Sequence, residues 1–341
     1  MAFSGFLNQL GLGGDKITTT EIVVGASIVW LASLGALTVV YFVAQTAISV
    51  YRAKFRAPHN LVKRYGKGWA VVTGATDGIG KAAAWHLARR GLNVLLVSRT
   101  QSKLDETKTE ISEKFPTVSV KTCQVDFSNF DAESQKRVSQ VLADLGDGGL
   151  AILVNNVGIS YDFPMLFHEL SEDRVLDMIR LNIDSTTYMT RIALNLMKDR
   201  KGGARRGAIV NIGSAAGSTS NPLLTQYSAA KAYVQRLSEG LAVEYGPLGI
   251  DVQVHVPFFI VSKLSKFKRS SFFVPTAELY GKLICDRMGF EVVVNPYLPH
   301  TLFGFIVEHL PTGPRELYTR SMHMGVRAKG MKKKAATEKK D

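Results

Sequence analysis

The chain has 341 residues, 46% of them hydrophobic and 9% aromatic, with 42 basic against 29 acidic side chains and a formal charge of +13. That composition excludes a disordered chain, a collagen-like fibre and a coiled-coil rod, and the length allows one large core or two small ones. The only cysteines, Cys123 and Cys285, lie far apart, which excludes the disulfide framework of a small secreted domain and fits a reducing compartment, and no C-x-x-C or Cys/His spacing offers a metal site.

The first predicted element is a membrane span. From Ile22 to Tyr51 there is no Asp, Glu, Lys or Arg, and the stretch from Ile22 to Ala44 is predominantly apolar. A helix across a bilayer core needs about 20 such residues. A signal peptide has a shorter apolar run behind a basic start. A buried core helix is the other alternative, but Arg52, Lys54, Arg56, Lys63, Arg64 and Lys67 follow this run, and a basic flank belongs to a span whose downstream side faces the cytosol. The remaining charge excess crowds into residues 322–341, so membrane phospholipid, and not nucleic acid, is the partner that the basic balance indicates.

After the basic stretch the chain alternates strand and helix. Trp69–Thr73 is an apolar, β-branched run ended by glycine; a helical pattern covers Ile79 to Arg90, a second strand Asn93–Ser98, and a helix about Ser102 to Phe115. Further strands are predicted near Val118–Val125, Ala151–Val154, Ala208–Ile212 and Asp251–Val256. Unbroken apolar strands separated by helices indicate a Rossmann-like, doubly wound parallel sheet covered on both faces, the α/β class.

The turn after the first strand reads Thr73-Gly74-Ala75-Thr76-Asp77-Gly78-Ile79-Gly80. Glycines there let the backbone turn sharply and let a pyrophosphate approach the N-terminus of the next helix, where free N–H groups and the dipole favour anions. The spacing is G-x-x-x-G-x-G, and no Gly-Lys-Ser/Thr follows to make it a P-loop. Cofactor choice is written at the end of the second strand, where Ser98 and Arg99 stand in place of a carboxylate; a cation there meets a 2′-phosphate and favours NADP over NAD, unless Arg99 is an ordinary solvated charge.

Tyr227 and Lys231, the ends of the one Y-x-x-x-K in the chain, fall one helical turn apart, and Ser214 ends a predicted strand shortly before them. A free phenol with a pKa of about 10 is a sluggish proton donor unless a nearby cation stabilises its anion, which Lys231 would do while Ser214 holds a carbonyl oxygen. A serine hydrolase is the rival use of Ser214, but its nucleophile elbow needs glycine where Ile212 stands. His255, inside an apolar strand, reads as a core histidine.

The order and spacing of TGATDGIG, Asn155-Asn156-Val157-Gly158, Ser214 and YSAAK resemble the short-chain dehydrogenase/reductase superfamily over about residues 69–295. Asn182, in Arg180-Leu181-Asn182, resembles the asparagine that completes the superfamily tetrad beside the lysine. The resemblance implies a catalytic set of Asn182, Ser214, Tyr227 and Lys231, and cofactor contacts at Gly74, Thr76, Asp77, Gly78, Ile79, Gly80, Ser98, Arg99, Lys103, Asp126, Asn155, Tyr227, Lys231 and Val261. Ile159-Ser160-Tyr161 after the second motif, the Ser98-Arg99 pair, and Pro257-Phe258 with the following residues to Leu264, together with the span, resemble a narrower branch. That branch holds the membrane-bound very-long-chain 3-oxoacyl-CoA reductases and 17β-hydroxysteroid dehydrogenase type 12.

Membership of the branch implies NADPH-dependent reduction of a long 3-oxoacyl-CoA to its 3-hydroxy form in fatty-acid elongation at the endoplasmic reticulum, with other elongation enzymes as partners. A 17-ketosteroid or 3-ketosphinganine reductase, or a membrane scaffold without turnover, are the alternatives. The lysine-rich end resembles the branch's retrieval tail, although Thr337–Asp341 lacks the second lysine at the usual offset. The expected layout is an N-terminal segment (1–51, span about 22–44), a basic linker (52–68), a reductase domain (69–320) with an apolar substrate lobe (about 258–310), and a basic tail (321–341).

Within the lobe, eight of the seventeen phenylalanines fall between 258 and 305, beside Lys263, Lys266, Lys268 and Arg269. An acyl-CoA brings both phosphates and an apolar chain to such a mixture, whereas a steroid leaves the cations idle; an ordinary aromatic core is the alternative. Pro296–Pro311 is too short and too polar for a second span. Leu302, Phe303, Ile306 and Leu310 share one helical face there, and docking on the core is the commoner use of such a face, lying in the membrane interface the other.

Overall fold

In a computed structural model, Gly5, Gln9 and residues 19–201 and 203–338 are described. The chain divides into two compact units, Met1–Arg56 and Ala57–Asp341. The first contains α1 (Thr19–Lys54), with a stretch from Ile22 long and apolar enough to cross a bilayer and almost wholly exposed. The helix runs past the expected end at 44 because no proline or glycine interrupts it before Pro58. Its hydroxyls at Ser27, Ser33 and Thr38 each donate to the carbonyl four residues back, so these polar groups are satisfied within the helix, as lipid requires.

The second unit is built on β1 (Trp69–Thr73), β2 (Asn93–Ser98), β3 (Val120–Gln124), β4 (Leu150–Asn155), β5 (Gly207–Ile212), β6 (Ile250–His255) and the two-residue β7 (Val293–Val294). All pair in parallel, in the order β3-β2-β1-β4-β5-β6-β7. Side chains alternate across the pleat: Ala70, Val72, Leu96 and Val210 enter the core on one face, Trp69, Val71, Leu95 and Ile209 that on the other. Both faces are thus dry, which is why the strands read as continuous apolar runs. The chain reverses its winding between β1 and β4, and the crevice at the carboxyl ends of these strands is where such sheets take ligands.

The connecting helices are α2 (Leu61–Tyr65), α3 (Gly78–Arg89), α4 (Gln101–Lys114), α5 (Ala132–Ala143), α6 (Glu172–Ile179), α7 (Ser185–Met197), α8 (Thr225–Tyr245), α9 (Ala277–Arg287), α10 (Leu298–His309) and α11 (Thr312–Glu338). Capping side chains start many of them, with Asp77, Asp131, Ser171 and Thr276 each accepting a backbone N–H of the first turn.

Three features differ from the sequence expectation. Residues 52–68 are not simply a linker: α2 inserts Leu61 and Tyr65 into the core, and the Tyr65 hydroxyl donates to Asp251 Oδ2 at 2.8 Å, beside Arg64 and Arg205, which ion-pair with the same carboxylate. The boundary expected at 320 falls inside α11, because nothing between Arg315 and Glu338 breaks a helix strongly enough; Lys339–Asp341, the end of the retrieval-tail comparison, lies outside the described residues. Finally, α10 docks only one side: His300 is buried against the Phe273 carbonyl, whereas Phe303, Ile306 and Leu310 remain exposed.

Candidate active site

The glycine turn joins β1 to α3. Gly74 (φ 63°) and Gly78 (φ 54°) take left-handed conformations that a side chain would strain. Gly80 is bare because the turn folds back on it: a Cβ there would lie 2.3 Å from the Gly74 carbonyl oxygen and 2.4 Å from Asn156 Nδ2. Asn156 in turn donates to the carbonyls of Thr73 (3.1 Å) and Gly74 (3.3 Å), and the Thr73 hydroxyl accepts the backbone N–H of Asn156 at 2.9 Å. The end of β4 therefore clamps the turn after β1. Thr73 went unnoticed in the sequence, where it looks like any β-branched strand residue.

The Thr76 and Ser98 hydroxyls lie 3.0 Å apart, which places the turn against the end of β2. Arg99 follows Ser98 into solvent, its carbonyl held by Gln124 Nε2 at 3.0 Å. Asp77 caps α3 through the Gly78 N–H at 2.8 Å and forms an ion pair with Lys263. Burial works to raise the Asp77 carboxyl, but Lys263, the Gly78 N–H and Lys103 outweigh it and hold it below the usual carboxylate range. Asp126 caps the short turn after β3 through the Ser128 N–H at 3.0 Å. Ile79 is the second residue of α3, and Val261, anchored by its N–H to the Pro275 carbonyl at 3.0 Å, faces the turn from the lobe alongside Ser262 and Lys263.

The side chain of Asn155, one of the expected cofactor contacts, is engaged within the fold. Its side-chain amide points into the layer of α7, donating to Thr190 Oγ1 (2.9 Å) and Asn211 Oδ1 (2.8 Å), and Asn211 passes the chain on to Ser238 at 2.9 Å. A strand side chain spent in this way ties β4 and β5 to α7 and α8.

Beyond β5 and at the start of α8, the tetrad residues converge. Ser214, two residues past β5, caps the short 3-10 turn Ala215–Gly217 and lies in hydrogen-bonding contact with the Tyr227 phenol. Tyr227 and Lys231 are both buried on the same face of α8, with Lys231 Nζ 5.8 Å from the tyrosine ring centre and donating to the Ile212 carbonyl at 2.9 Å. Burial raises the phenol pKa, an effect the Ser214 hydrogen bond partly offsets, and burial lowers the lysine to about 8. Asn182 sits on a π-helical turn, Arg180–Asp184, inserted between α6 and α7. Turns of that kind concentrate at functional sites because they displace one residue from the helix surface. Its amide is pinned to the Ile159 and Met178 carbonyls at 3.1 and 3.0 Å. A Cβ on Gly158 would meet Asn182 Oδ1 at 2.6 Å and Lys231 Nζ at 3.2 Å, so the amide, the ammonium and this glycine share one small space.

His255 is fully buried and held neutral, its pKa lowered by burial to about 3, as a core histidine rather than a base. Alongside the turn, a cleft of about 920 Å³ opens between α3, α9 and the 261–268 loop. Its lining includes Trp85 and Phe267 and the cations Lys81, Lys263, Lys266, Lys268 and, from α11, Lys333. The carboxylates Asp77, Glu110 and Glu278 line it too, Glu110 pairing with Lys81 and Asp77 with Lys263. Lys266 takes a left-handed conformation (φ 61°), uncommon for a side-chain-bearing residue, and its ammonium donates to the Asp162 carbonyl.

A doubly wound sheet with a glycine turn at its switch point and a buried tyrosine–lysine pair beside it defines a dinucleotide-dependent oxidoreductase. Residues 68–271 match the family described as short chain dehydrogenase, and the chain belongs to that family. It is 42% identical over 280 residues to a very-long-chain 3-oxoacyl-CoA reductase of Caenorhabditis elegans, covering 82% of this chain and 86% of that one. A reductase of the same description from Danio rerio is 41% identical (80% and 86% covered), and one from Mycosarcoma maydis is 34% identical over nearly all of both chains (96% and 95%). Among solved structures, a short-chain dehydrogenase from Sphingobium yanoikuyae in complex with NADPH superposes with a TM-score of 0.58 at 27% identity, over 67% of this chain and 87% of that one. A 7β-hydroxysteroid dehydrogenase shares the fold at a TM-score of 0.66 and 23% identity, over 76% and 99%. The protein is thus an oxidoreductase that uses a nicotinamide cofactor.

Proposed function

We propose that this chain is a membrane-anchored, NADPH-dependent reductase that converts a very-long-chain 3-oxoacyl-CoA to the 3-hydroxyacyl-CoA during fatty-acid elongation, held at the endoplasmic reticulum with its reductase unit in the cytosol. Three curated relatives that share most of their length with it bear the name of that activity. The observation that carries the substrate class is the cleft beside the glycine turn, where Lys266, Lys268 and Lys333 stand with aromatic rings, beyond the Lys81–Glu110 and Lys263–Asp77 pairs, as a phosphate-bearing thioester with an apolar chain requires.

The residues fit the cofactor. The cradle beside Gly80 is open only because no Cβ fills it, and the α3 N-terminus behind it offers N–H groups to a pyrophosphate. The end of β2 presents Ser98, Arg99 and, one turn on, Lys103 with no carboxylate among them, which suits a 2′-phosphate. When bound, the reduced nicotinamide supplies a hydride to the carbonyl carbon.

The chain's own groups do the rest. Ser214 donates a hydrogen bond to the ketone oxygen, and Tyr227 delivers the proton that this oxygen needs to become a hydroxyl. Lys231 stabilises the phenolate left behind, and Asn182 and the Gly158 turn fix the position of the lysine. Ketone, hydride and proton together give the secondary alcohol.

The test is NADPH oxidation by the detergent-solubilised full chain, offered 3-oxoacyl-CoAs of increasing length beside a ketosteroid and 3-ketosphinganine. Rates that rise with acyl length and exceed those of both neutral ketones are expected. Replacing Lys266 and Lys268 by Glu should raise the KM for the acyl-CoA at least about tenfold, equivalent to about 1.4 kcal/mol, while sparing the neutral ketones. Equal loss on every substrate removes the case for CoA recognition here. In the same assay Arg99→Ala should raise the KM for NADPH far more than that for NADH.

A further inference from the structure

Outside the N-terminal helix, more than half of the exposed large apolar side chains among the described residues fall on just two segments, the 258–275 loop and α10–α11. They are contiguous. Phe272 (70% exposed) packs on Phe273, Phe273 on Phe303 of α10, and Phe303 continues along its helix face to Ile306 and Leu310. Beyond Pro311 the outer side of α11 adds Leu317 and Tyr318. The inner side of α11 is held at three points: His323 meets the Pro222 carbonyl at 2.7 Å, Arg327 forks onto Glu169, and Gly330 lies against Phe163. The two segments therefore roof the carboxyl edge of the sheet, where the tetrad lies, and turn an apolar surface outward.

Charge decides what covers that surface. Between Phe258 and Thr276 there is no Asp or Glu but four cations, and between Leu317 and Thr337 there is again no acid but six cations, of which Lys263 and Arg327 are spent on Asp77 and Glu169. A second copy of the same face would bring like charges together and is disfavoured, and nucleic acid has no use for a continuous stripe of Phe, Ile and Leu. A bilayer with anionic headgroups satisfies both halves, taking the aromatic and aliphatic tips below the headgroups and the cations at their level.

We infer that the roof made by the 258–275 loop and α10–α11 is a second membrane-contact surface, separate from the N-terminal helix, that seats the reductase unit on an anionic leaflet with the mouth of its site at the lipid boundary. It stands on the surface alone and is independent of which ketone is reduced. An apolar substrate dissolved in the leaflet then reaches the site without crossing bulk water.

Both native cysteines are buried, so one introduced cysteine directs a thiol-reactive fluorophore to a chosen point. The full chain, labelled through Phe272→Cys, Ile306→Cys or Val243→Cys, is placed in nanodiscs of phosphatidylcholine and phosphatidylserine carrying spin-labelled lipid. Val243 is 78% exposed near the far end of α8, which leads away from the tetrad edge, and serves as the reference. Severalfold stronger quenching at 272 and 306 than at 243, diminished when phosphatidylserine is left out, is the expected result. Equal quenching at the three positions, quenching indifferent to phosphatidylserine, or shielding of 272 and 306 that depends on protein concentration instead of lipid would each overturn the inference.

Discussion

At the scale of single residues, the proposed chemistry rests on two buried groups whose burial works in opposite directions on their protons. A phenol raised by burial holds its proton firmly, and an ammonium lowered to about 8 gives its own up near physiological pH. In the proposed reduction the charged lysine makes the phenol a usable donor, so that mechanism requires Lys231 and Tyr227 to be protonated together. As pH climbs through about 8, Lys231 loses its charge first and the acidity it lends Tyr227 goes with it. The kcat/KM for reduction should therefore fall along an alkaline limb in that region, and Lys231→Arg, which stays charged, should move the limb upward. Tyr227→Phe should leave NADPH binding, read by fluorescence titration, nearly unchanged while lowering kcat by about 10²–10⁴-fold, the usual contribution of a positioned acid.

At the scale of elements, the site depends on strands and turns gripping one another. The turn after β1 is shaped by its own glycines together with the Asn156 amide reaching across from the end of β4. Gly80→Ala tests this directly, since the new methyl would meet the Gly74 backbone oxygen at 2.3 Å and the turn would have to open. A loss of about 1–3 kcal/mol in stability, the range for overpacking, is expected in thermal melts, with a weaker NADPH affinity beside it. The π-helical turn at Arg180–Asp184 works in the same way on Asn182, as it re-aims one side chain without ending the helix on either side.

At the scale of the whole molecule, the proposed anchoring by the N-terminal apolar helix, with its basic downstream flank, puts the reductase unit on the cytosolic side. Protease added outside sealed microsomes should digest residues beyond 57 and spare a short N-terminal fragment; full protection of the chain would reverse the orientation. The six cations of the basic stretch do not all serve the membrane, however. Arg64 pairs with Asp251 at 2.8 Å and donates to the Gly289 carbonyl at 3.1 Å, so part of this charge holds α2 to the core of the second unit.

The sequence by itself determined the elements with strong local signals. β1 and β2 fall where apolar, β-branched runs place them, and the other predicted strands shift by a residue or two at their ends, where Val118, for instance, is taken up in a turn onto the Phe115 carbonyl. The glycine turn and the Tyr227–Lys231 pair were legible for the same reason, because a tight turn and one helical turn are properties of neighbouring residues. What only the tertiary structure decided are pairings between distant residues: Asn155 spent on Thr190 and Asn211, Thr73 clamped under Asn156, Tyr65 on Asp251, and α11 brought over the site by His323 and Arg327. β7 escaped notice because two residues carry no periodicity, and the outward face of α10 because an amphipathic stripe states only that something apolar must cover it. Whether that cover is protein or lipid depends on which side the rest of the chain leaves open, and this is settled by long-range packing rather than by local pattern.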